Sequence, residues 1–465
     1  MSFRAGRRLS MPGESEGLMS VNDRGASSQM ERLVSSGTPD ELRHRLESKF
    51  KSPSAKVPRA SRITLESLEE RWQVLATGHG TRQALADPHT LAQMERYRRN
   101  IENFMGTAKL PVGLAGPLRV NGLFAQGDYY IPLATTEATL VASYSRGAQL
   151  ISEAGGCTAM LLDEGLSRAP GFAFNNLYEV AQFVAWARAH LDEFRRRAEA
   201  TTAHGKLIDM RVTVEGNHVY VSFEFTTGDA AGQNLVTIAT EAICAYIDAH
   251  TPVRPRSFFV EANLSGDKKA SARSFVSVRG RKVTAEVILP ADLVRQRLHT
   301  TPERMVDYSR LAATGGVLSG TIGVQGHYAN GLAALYIACG QDVACVAESA
   351  VGVTRFELTD PGDLYAAVTL PSLVVGTVGA GTGLPSQQAC LDIMGLAGPG
   401  KAPALAEVCA GLCLAGELSI IGALCSGDFT RAHQRLARGV PEHNPEEDLT
   451  CSVGGGSTST NGFRS

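Results

Sequence analysis

The chain carries almost no net charge and lacks the cysteine spacing of a metal site. Its 465 residues include 45 Lys and Arg against 47 Asp and Glu, for a formal net charge of -2. This balance provides no basic field for a nucleic acid, so we expect no nucleic-acid partner. The nine cysteines show no paired-ligand spacing, lie mostly in apolar runs and follow no secretory signal. The sequence therefore predicts buried free thiols in a reducing compartment, a cytoplasmic protein and no metal site.

Long apolar runs without charge are also missing. The run over 404–425 contains Glu407 and Glu417, and the run over 335–353 contains Asp342 and Glu348. Carboxylates are costly inside a bilayer, so neither run predicts a membrane span, and we expect no membrane partner.

A dinucleotide-binding fingerprint is absent as well. The segment 376–383 is rich in glycine but does not have the spacing G-x-G-x-x-G, which favours a packed turn or another kind of ligand-facing loop. A second glycine-containing segment, 228–234, precedes a predicted helix. The amides at that helix start are suited to a phosphate or a carboxamide, although Asp229 acting as a helix cap accounts for the segment equally well.

Residues 171–260 have the clearest pattern of secondary structure. Period-2 alternation predicts strands and 3.6-residue periodicity predicts helices, in the order βαββαβ of a ferredoxin-like unit. The predicted elements are a strand near 172–174, a helix over 177–200, a hairpin of 208–214 and 219–225, a helix over 235–246 and a strand at 258–260.

The remainder of the chain predicts a larger, helix-rich domain around this unit, so the fold class is α+β. We also expect a hairpin within 274–289 that turns at 279–281. The predicted divisions are a disordered or loosely structured extension (1–60), a helical region (61–110), the large domain (111–170 and 261–430), the inserted small domain (171–260) and a C-terminal segment (431–465).

Charge is concentrated in the loop 261–269, directly after an apolar run. A solvated turn is one interpretation of this loop, and a lysine that stabilises oxyanion charge during acyl chemistry is the other. Asp342 lies in an apolar run and needs a partner there; Lys268 is a candidate, and a helix-terminus role for Asp342 is the alternative. His433 lies in a basic segment, where a single histidine is either a surface residue or a catalytic one.

Eight motifs between about residue 100 and residue 438 occur in an order that resembles the 3-hydroxy-3-methylglutaryl-CoA reductase family. They are ENFMG at 102–106, PVG at 111–113 with AGPL at 115–118, TTE at 135–137, GDAAGQN at 228–234, DKK at 267–269, GQD at 340–342, GTVG at 376–379 and AGELS at 415–419.

The resemblance implies the soluble catalytic portion of the class that includes the eukaryotic enzymes, without their membrane domain. Its reaction would be the four-electron reduction of the acyl-CoA thioester by two NADPH to mevalonate and free CoA. Lys268 would stabilise each oxyanion, and Asp342 would hold Lys268 charged and oriented. Glu137 would donate protons, which requires burial to raise its pKa. His433 would protonate the CoA thiolate from a tail that closes over the substrate.

The resemblance also implies the binding residues and the assembly. The small domain would bind NADP, the large domain would bind substrate and dimerise, and active sites would form between the subunits of a homodimer or homotetramer. The implied contacts are Arg168, Asn263, Asp267 and Lys269 with the acyl carboxylate, Arg146 and Asn330 elsewhere in the active site, and Asp229, Gln233, Asn234 and Arg438 with the cofactor.

The sequence departs from the family pattern in three respects. Glu261 stands where members have a serine at the acyl group, which leaves a related acyl-CoA thioester open as the substrate. Ala231 and Gln233 replace methionines of the cofactor loop, which leaves NADH open. Gly439 replaces a phosphorylatable serine, so we expect that regulatory switch to be missing. A non-catalytic CoA-binding or scaffold protein is a further alternative, against which the presence of all four catalytic residues argues.

Overall fold

The computed structural model describes residues 28, 31–32, 34–49, 55–59, 63–75, 77 and 79–427. The predictions for His433, Arg438, Gly439 and the segment 431–465 lie outside the described residues.

The described N-terminal part of the chain contains short helices, one of them within the predicted extension 1–60 and the others within the predicted helical region 61–110. Thr64 and Ser67 form a reciprocal capping box at the start of the second helix below, which fixes where that helix begins. The helices of this part are α1 (Pro39–Leu46), α2 (Leu65–Gln73), α3 (His79–Leu85) and α4 (Pro88–Ala92).

From residue 112 onward, strands and helices are interleaved, in agreement with a mixed α and β fold. The elements up to residue 259 are β1 (Val112–Gly122), β2 (Gln126–Ala134), α5 (Leu140–Glu153), β3 (Cys157–Arg168), β4 (Gly171–Ala173), α6 (Leu177–Ala189), α7 (Leu191–Glu199), β5 (Lys206–Glu215), β6 (His218–Thr226), α8 (Gln233–His250) and β7 (Ser257–Phe259). Those that follow are β8 (Gly280–Leu289), α9 (Ala291–Leu298), α10 (Pro302–Ser319), α11 (Tyr328–Ala338), α12 (Val346–Ser349), β9 (Val353–Leu358), β10 (Leu364–Leu373), α13 (Pro385–Ile393) and α14 (Ala402–Ser426).

The strands form two sheets that share β3. The larger sheet has the order β2–β1–β3–β8–β10–β9, and its neighbours are antiparallel except for β1 and β3. The smaller sheet has the order β5–β6–β4–β7, and the last residues of β3 continue along β6 beside β4. Arg168, the final residue of β3, therefore lies where the two sheets meet.

Two predictions of local structure are wrong in detail. The helix predicted over 177–200 is two helices, because the chain leaves helical geometry at His190 (φ -108°, ψ 15°) and the His190 N–H donates to Ala187. The hairpin predicted over 274–289 is absent: Arg281 lies within β8. Its side chain is buried, and its guanidinium donates to the carbonyl of Val375 at 2.5 Å and to that of Gly228. Its charge therefore points into the protein and not into a solvated turn.

Helix α14 is the centre of the larger core. Among the described residues it is the one helix that is long and apolar enough to cross a membrane, but 89% of its most apolar window is buried inside the protein, as in a core helix. Its carboxylates satisfy backbone groups: Glu407 accepts N–H groups of the β1–β2 turn and of Leu161, and Glu417 accepts those of Gly326 and His327. The eight described cysteines are buried and free, which confirms that prediction for them.

Candidate active site

Lys268 and Asp342 form an ion pair between the loop 261–269 and the end of α11. The Lys268 Nζ atom lies 2.8 Å from Asp342 Oδ2, while Asp342 Oδ1 accepts the N–H of Ala344 at 3.1 Å. Asp342 therefore has both roles that its sequence position suggests. The side chains are 42% and 37% exposed, so burial inferred from the apolar run is wrong. The hydrogen bond with Asp342 raises the pKa of Lys268, which keeps the ammonium group charged at neutral pH.

Asp267, the residue before Lys268, forms ion pairs with two nearly buried arginines. Its Oδ2 lies 2.8 Å from Arg168 Nη1, and its Oδ1 lies 2.7 Å from Arg279 Nη2. Burial alone would raise the pKa of Asp267, but Arg279 and Arg168 outweigh burial and hold it below its usual value. Arg168 is only 7% exposed and is already held by carboxylates, so this geometry leaves it less free for a substrate carboxylate than the resemblance implies.

Glu261 is paired within the protein. Its Oε2 lies 3.4 Å from Arg168 Nη1 and accepts from the N–H of Ala169 at 3.3 Å and from the hydroxyl of Ser265 at 2.9 Å. Its Oε1 is buried and has no hydrogen-bond partner among the described residues. A paired carboxylate repels an anionic substrate much less than a free one would.

Two residues that bear on the site were missed as functional candidates. The sequence pattern places Arg279 in the predicted turn at 279–281. It shows Glu348 only as a charge that interrupts the apolar run over 335–353. They form a buried ion pair of 2.7 Å, with side chains 4% and 3% exposed. A buried charge requires a partner, so the acidic residue in the apolar run was the signal that could have led to both.

Glu137 contacts Asn330 and forms no ion pair with Lys268 among the described residues. It is exposed, contrary to the burial expected from its implied role, and its carboxylate oxygens each accept from Asn330 Nδ2 at 3.2 Å. Asn330 is in the first turn of α11, whereas Asp342 follows the end of this 11-residue helix. Such a helix is about 16 Å long, which separates Glu137 from Asp342.

Arg146 and Asp229 both bind the core helix α14. Arg146 donates from Nη2 to the Ser419 carbonyl at 2.6 Å. Asp229 accepts N–H groups of Gly400 and Ala402 at 2.7 and 3.1 Å. The helix next to Asp229, α8, has Gly232 as its N-cap without a side-chain bond, so the interpretation of Asp229 as a cap of that helix is wrong. Asp229 stabilises the start of α14 instead.

A cavity of about 230 Å³ opens beside Asp342. It is lined by residues 230–235, which lead into α8 and include Asn234 of its first turn, and by the segments 340–342 and 376–382. A wider cleft of about 630 Å³ continues from it, with Asn234, Gly379 and Thr382 in common, and carries three arginines: Arg96, Arg98 and Arg99. The glycine-rich segment 376–383 is therefore both packed and cavity-lining: Gly376 lies against the backbone of the loop 229–231, and Gly379 and Thr382 line both cavities.

Asp229 binds the start of α14 and Asn234 lines the cavity, and the other predicted site residues fall into three groups. The first is a connected cluster of Lys268, Asp342, Asp267, Arg168 and Gln233, to which Lys269 is joined by a 3.0 Å hydrogen bond to the Asp267 carbonyl. Asn263 lies in the same loop with φ +65°. The second group, Glu137, Asn330 and Arg146, lies elsewhere, and the third, His433 and Arg438, lies outside the described residues. Within the described ranges, no group of His, Cys, Asp or Glu side chains is arranged to hold a metal ion.

The chain is similar to known proteins over most of its length. The family model described as hydroxymethylglutaryl-coenzyme A reductase matches residues 67–438. A 3-hydroxy-3-methylglutaryl-coenzyme A reductase of Methanothermobacter thermautotrophicus is 44% identical over 349 residues, which cover 74% of this chain and 87% of that protein. The enzyme of the same name from Pyrococcus horikoshii is 43% identical over 347 residues, with coverage of 73% and 84%.

Among solved structures, a class II 3-hydroxy-3-methylglutaryl-CoA reductase from Streptococcus pneumoniae, bound to NADPH in open conformations, has the same fold. The TM-score is 0.58 at 21% sequence identity, and the match covers 78% of this chain and 100% of that one.

Proposed function

Because the chain belongs to the hydroxymethylglutaryl-coenzyme A reductase family, we propose that the Lys268–Asp342 ion pair is the centre of its reaction. The chain is an oxidoreductase that reduces 3-hydroxy-3-methylglutaryl-CoA to mevalonate and free CoA with NADPH. The observation that carries the site assignment is the 2.8 Å ion pair on the rim of the cavity beside α8. A charged lysine in such a position stabilises the negative charge that develops on a carbonyl oxygen.

The roles of the chain's residues follow from this assignment. NADPH, when bound, supplies the hydride for each of the two reductions. Lys268 stabilises the substrate oxygen as it gains charge, and Asp342 keeps the ammonium charged and aimed. Glu137 donates the proton to that oxygen, and His433 protonates the departing thiolate. Lys269 and Asn263, in the same loop, bind the acyl carboxylate. Lys269 does so through a charge-assisted hydrogen bond.

The residues beside α8 fit a nicotinamide nucleotide. The smaller cavity takes one end of an elongated ligand next to Asp342, and the adjoining cleft presents Arg96, Arg98 and Arg99 to its phosphate groups. Gln233 and Asn234 begin α8, whose N-terminal amides favour an anionic or carbonyl group. This cationic wall supports NADPH, and NADH remains the alternative that the assay below compares.

We assign residues 171–260 as a ferredoxin-like cofactor domain inserted into a substrate domain formed by 111–170 and 261–430. The order β5–β6–β4–β7 supports this assignment, because it is the strand order of a βαββαβ unit. Side chains of α6, α7 and α8, including Phe183, Phe194 and Ile243, share one core with Phe223 of β6. The domain therefore has its own hydrophobic centre. The free buried thiols support a cytoplasmic location.

One assay tests the function directly. Purified protein is mixed with 3-hydroxy-3-methylglutaryl-CoA and either NADPH or NADH, and the absorbance of the reduced cofactor and the release of free CoA thiol are followed. We expect two molecules of NADPH consumed for each thiol released. Consumption without thiol release would contradict the four-electron reaction, turnover only with another acyl-CoA would favour the related reductase, and CoA binding without any turnover would favour a scaffold.

We further propose a homodimer or homotetramer whose active sites form between subunits. Two observations support it: Glu137 lies at the far end of α11 from Asp342, and α10 exposes a run of apolar side chains. Leu311 and Leu318 lie seven residues apart on one face of α10 and are 75% and 83% exposed. A patch of this kind is typical of a protein interface.

Leu318→Asp tests the assembly. We expect the variant to sediment as a smaller species than the wild type and to lose most of its activity, because a carboxylate in an apolar interface is desolvated without a partner. Leu177→Asp, on the exposed start of α6 in the small domain, is the matched control and should change neither property. Full activity of a dilute monomer would contradict the composite site.

A further inference from the structure

Arg279 and Glu348 form a buried ion pair next to the loop 261–269. Arg279 Nη1 lies 2.7 Å from Glu348 Oε2, and neither side chain is more than 4% exposed. The buried Nε atom of Arg279 has no hydrogen-bond partner among the described residues, which adds to the cost of burying this charge. A buried ion pair often contributes less to folding than apolar residues of the same volume would. Its presence here calls for another explanation.

The second oxygen of Glu348 holds the backbone of Lys268. Glu348 Oε1 accepts the Lys268 N–H at 3.1 Å. Lys268 has φ +56°, a left-handed conformation that costs a non-glycine residue free energy. The hydrogen bond to Glu348 offsets part of this cost and fixes the direction in which the Lys268 side chain leaves the loop.

The second terminal nitrogen of Arg279 reaches the start of the cofactor helix. Arg279 Nη2 donates to Gln233 Oε1 at 2.8 Å and to Asp267 Oδ1 at 2.7 Å. Gln233 is the first residue of α8 and lines the cavity that Asp342 also lines. A continuous set of contacts therefore runs from Gln233 through Arg279 and Glu348 to the backbone of Lys268.

We propose that Arg279 and Glu348 are positioning residues that set the Lys268 backbone and tie its position to the cofactor loop at Gln233. This inference rests on the proposed function, because Lys268 acts in that reaction. Arg279 is suited to the task because its planar fork binds Glu348 with one nitrogen and Gln233 and Asp267 with the other. When Gln233 shifts at the cavity wall, the Arg279 guanidinium shifts with it. Because Glu348 binds both Arg279 and the Lys268 N–H, the backbone of Lys268 shifts as well.

Glu348→Gln is the first test. Glutamine keeps the volume but has a single acceptor oxygen, so it cannot hold Arg279 and the Lys268 N–H together. We expect kcat to fall about 10- to 100-fold, as is usual when a group that orients a reacting residue is lost. We expect the KM for the acyl-CoA to change less than about threefold, because Glu348 is buried and does not line the cavity beside Asp342. Arg279→Lys should behave similarly, since it keeps the charge but loses the fork.

Glu407→Gln is the matched control. Glu407 is also fully buried and accepts several backbone N–H groups, but it binds the β1–β2 turn and Leu161. This variant should lower the melting temperature without lowering kcat. A kcat loss in Glu407→Gln as large as that in Glu348→Gln would assign both effects to weakened folding and overturn the positioning role.

Two further measurements separate positioning from general damage. In a double-mutant cycle with Gln233→Ala, the two kcat losses should not multiply, because both variants break the same set of contacts. In amide hydrogen exchange, the Lys268 N–H should exchange slowly in the wild type and at least about tenfold faster in Glu348→Gln, with no change in Glu407→Gln. Multiplicative losses, or unchanged exchange at Lys268, would overturn the proposal.

The outcomes distinguish this proposal from the proposed function. A wild-type protein that does not reduce 3-hydroxy-3-methylglutaryl-CoA contradicts the function, and the exchange measurement then decides the positioning role without turnover. An active wild type with a Glu348→Gln variant of equal kcat contradicts the positioning role alone.

Discussion

Lys268→Ala is expected to lower kcat by at least about 100-fold and up to about 1000-fold, the range seen when one donor to a developing oxyanion is removed. Lys268 is the charged group of the loop that reaches the rim of the cofactor cavity, and Asp342 fixes it there at 2.8 Å. Alanine removes the charge and leaves Asp342 as an unneutralised carboxylate beside the reacting oxygen. The loss should appear in kcat as well as in kcat/KM, because the contact strengthens in the transition state.

The fold should survive this substitution. The Lys268 side chain is 42% exposed, so little packing is lost, and the melting temperature should change by only a few degrees. Lys109→Ala is the control, because Lys109 is also a half-exposed lysine ion-paired to an aspartate, in this case Asp87 at 2.6 Å. It should retain the wild-type kcat. A Lys268→Ala variant within about threefold of the wild-type kcat would remove Lys268 from the mechanism.

The largest loss of stability is expected from Gly147→Ala. Gly147 lies on α5 where that helix crosses α14, and an added Cβ would overlap the backbone carbonyl of Ala415. A backbone atom cannot rotate away as a side chain can, so the two central helices must separate. We expect the free energy of unfolding to fall by about 3 kcal/mol or more, at the upper end for overpacking. Urea denaturation monitored by circular dichroism measures it.

Gly80→Ala provides the comparison for this prediction. Gly80 is also helical, in α3, but no atom lies within 4 Å of the position of an added Cβ. Alanine there should leave stability unchanged or raise it by up to about 1 kcal/mol, because it restricts the unfolded chain. A similar loss in both variants would show that the close crossing of the two helices does not determine the response at Gly147.

The parts of this protein that could be predicted from the sequence are those in which one local pattern determines the outcome. Alternation along β5 and β6 predicted the hairpin, and the isolated charge of Asp342 predicted an ionic partner, which is Lys268. The other candidate site residues came from the resemblance of the ordered motifs to the family. Motifs, however, carry no information about which side chains already hold one another, so the engagement of Arg168 by two carboxylates was not foreseen.

The missed features depend on tertiary contacts between distant segments. Arg279 and Glu348 are 69 residues apart and meet only in the fold, and neither forms part of a local pattern. Burial of Glu137 was expected from its implied role, but its surroundings in the single chain do not supply it. Properties that depend on a second subunit cannot be read from the periodicity of one chain.

The sharing of β3 by both sheets has a mechanical consequence. The chain passes between the two sheets twice, once at Arg168–Ala169 and once at Glu261–Ala262. These crossings are joined by the Ala262 N–H bond to the Ala169 carbonyl at 3.0 Å and by the Glu261 carboxylate, which binds both Arg168 and the Ala169 N–H. Because the two connecting segments are hydrogen-bonded to each other, together they resist bending more than two separate linkers would. Glu261, one of the residues that depart from the family pattern, thus bonds the two connections to each other and stiffens the link between the two sheets.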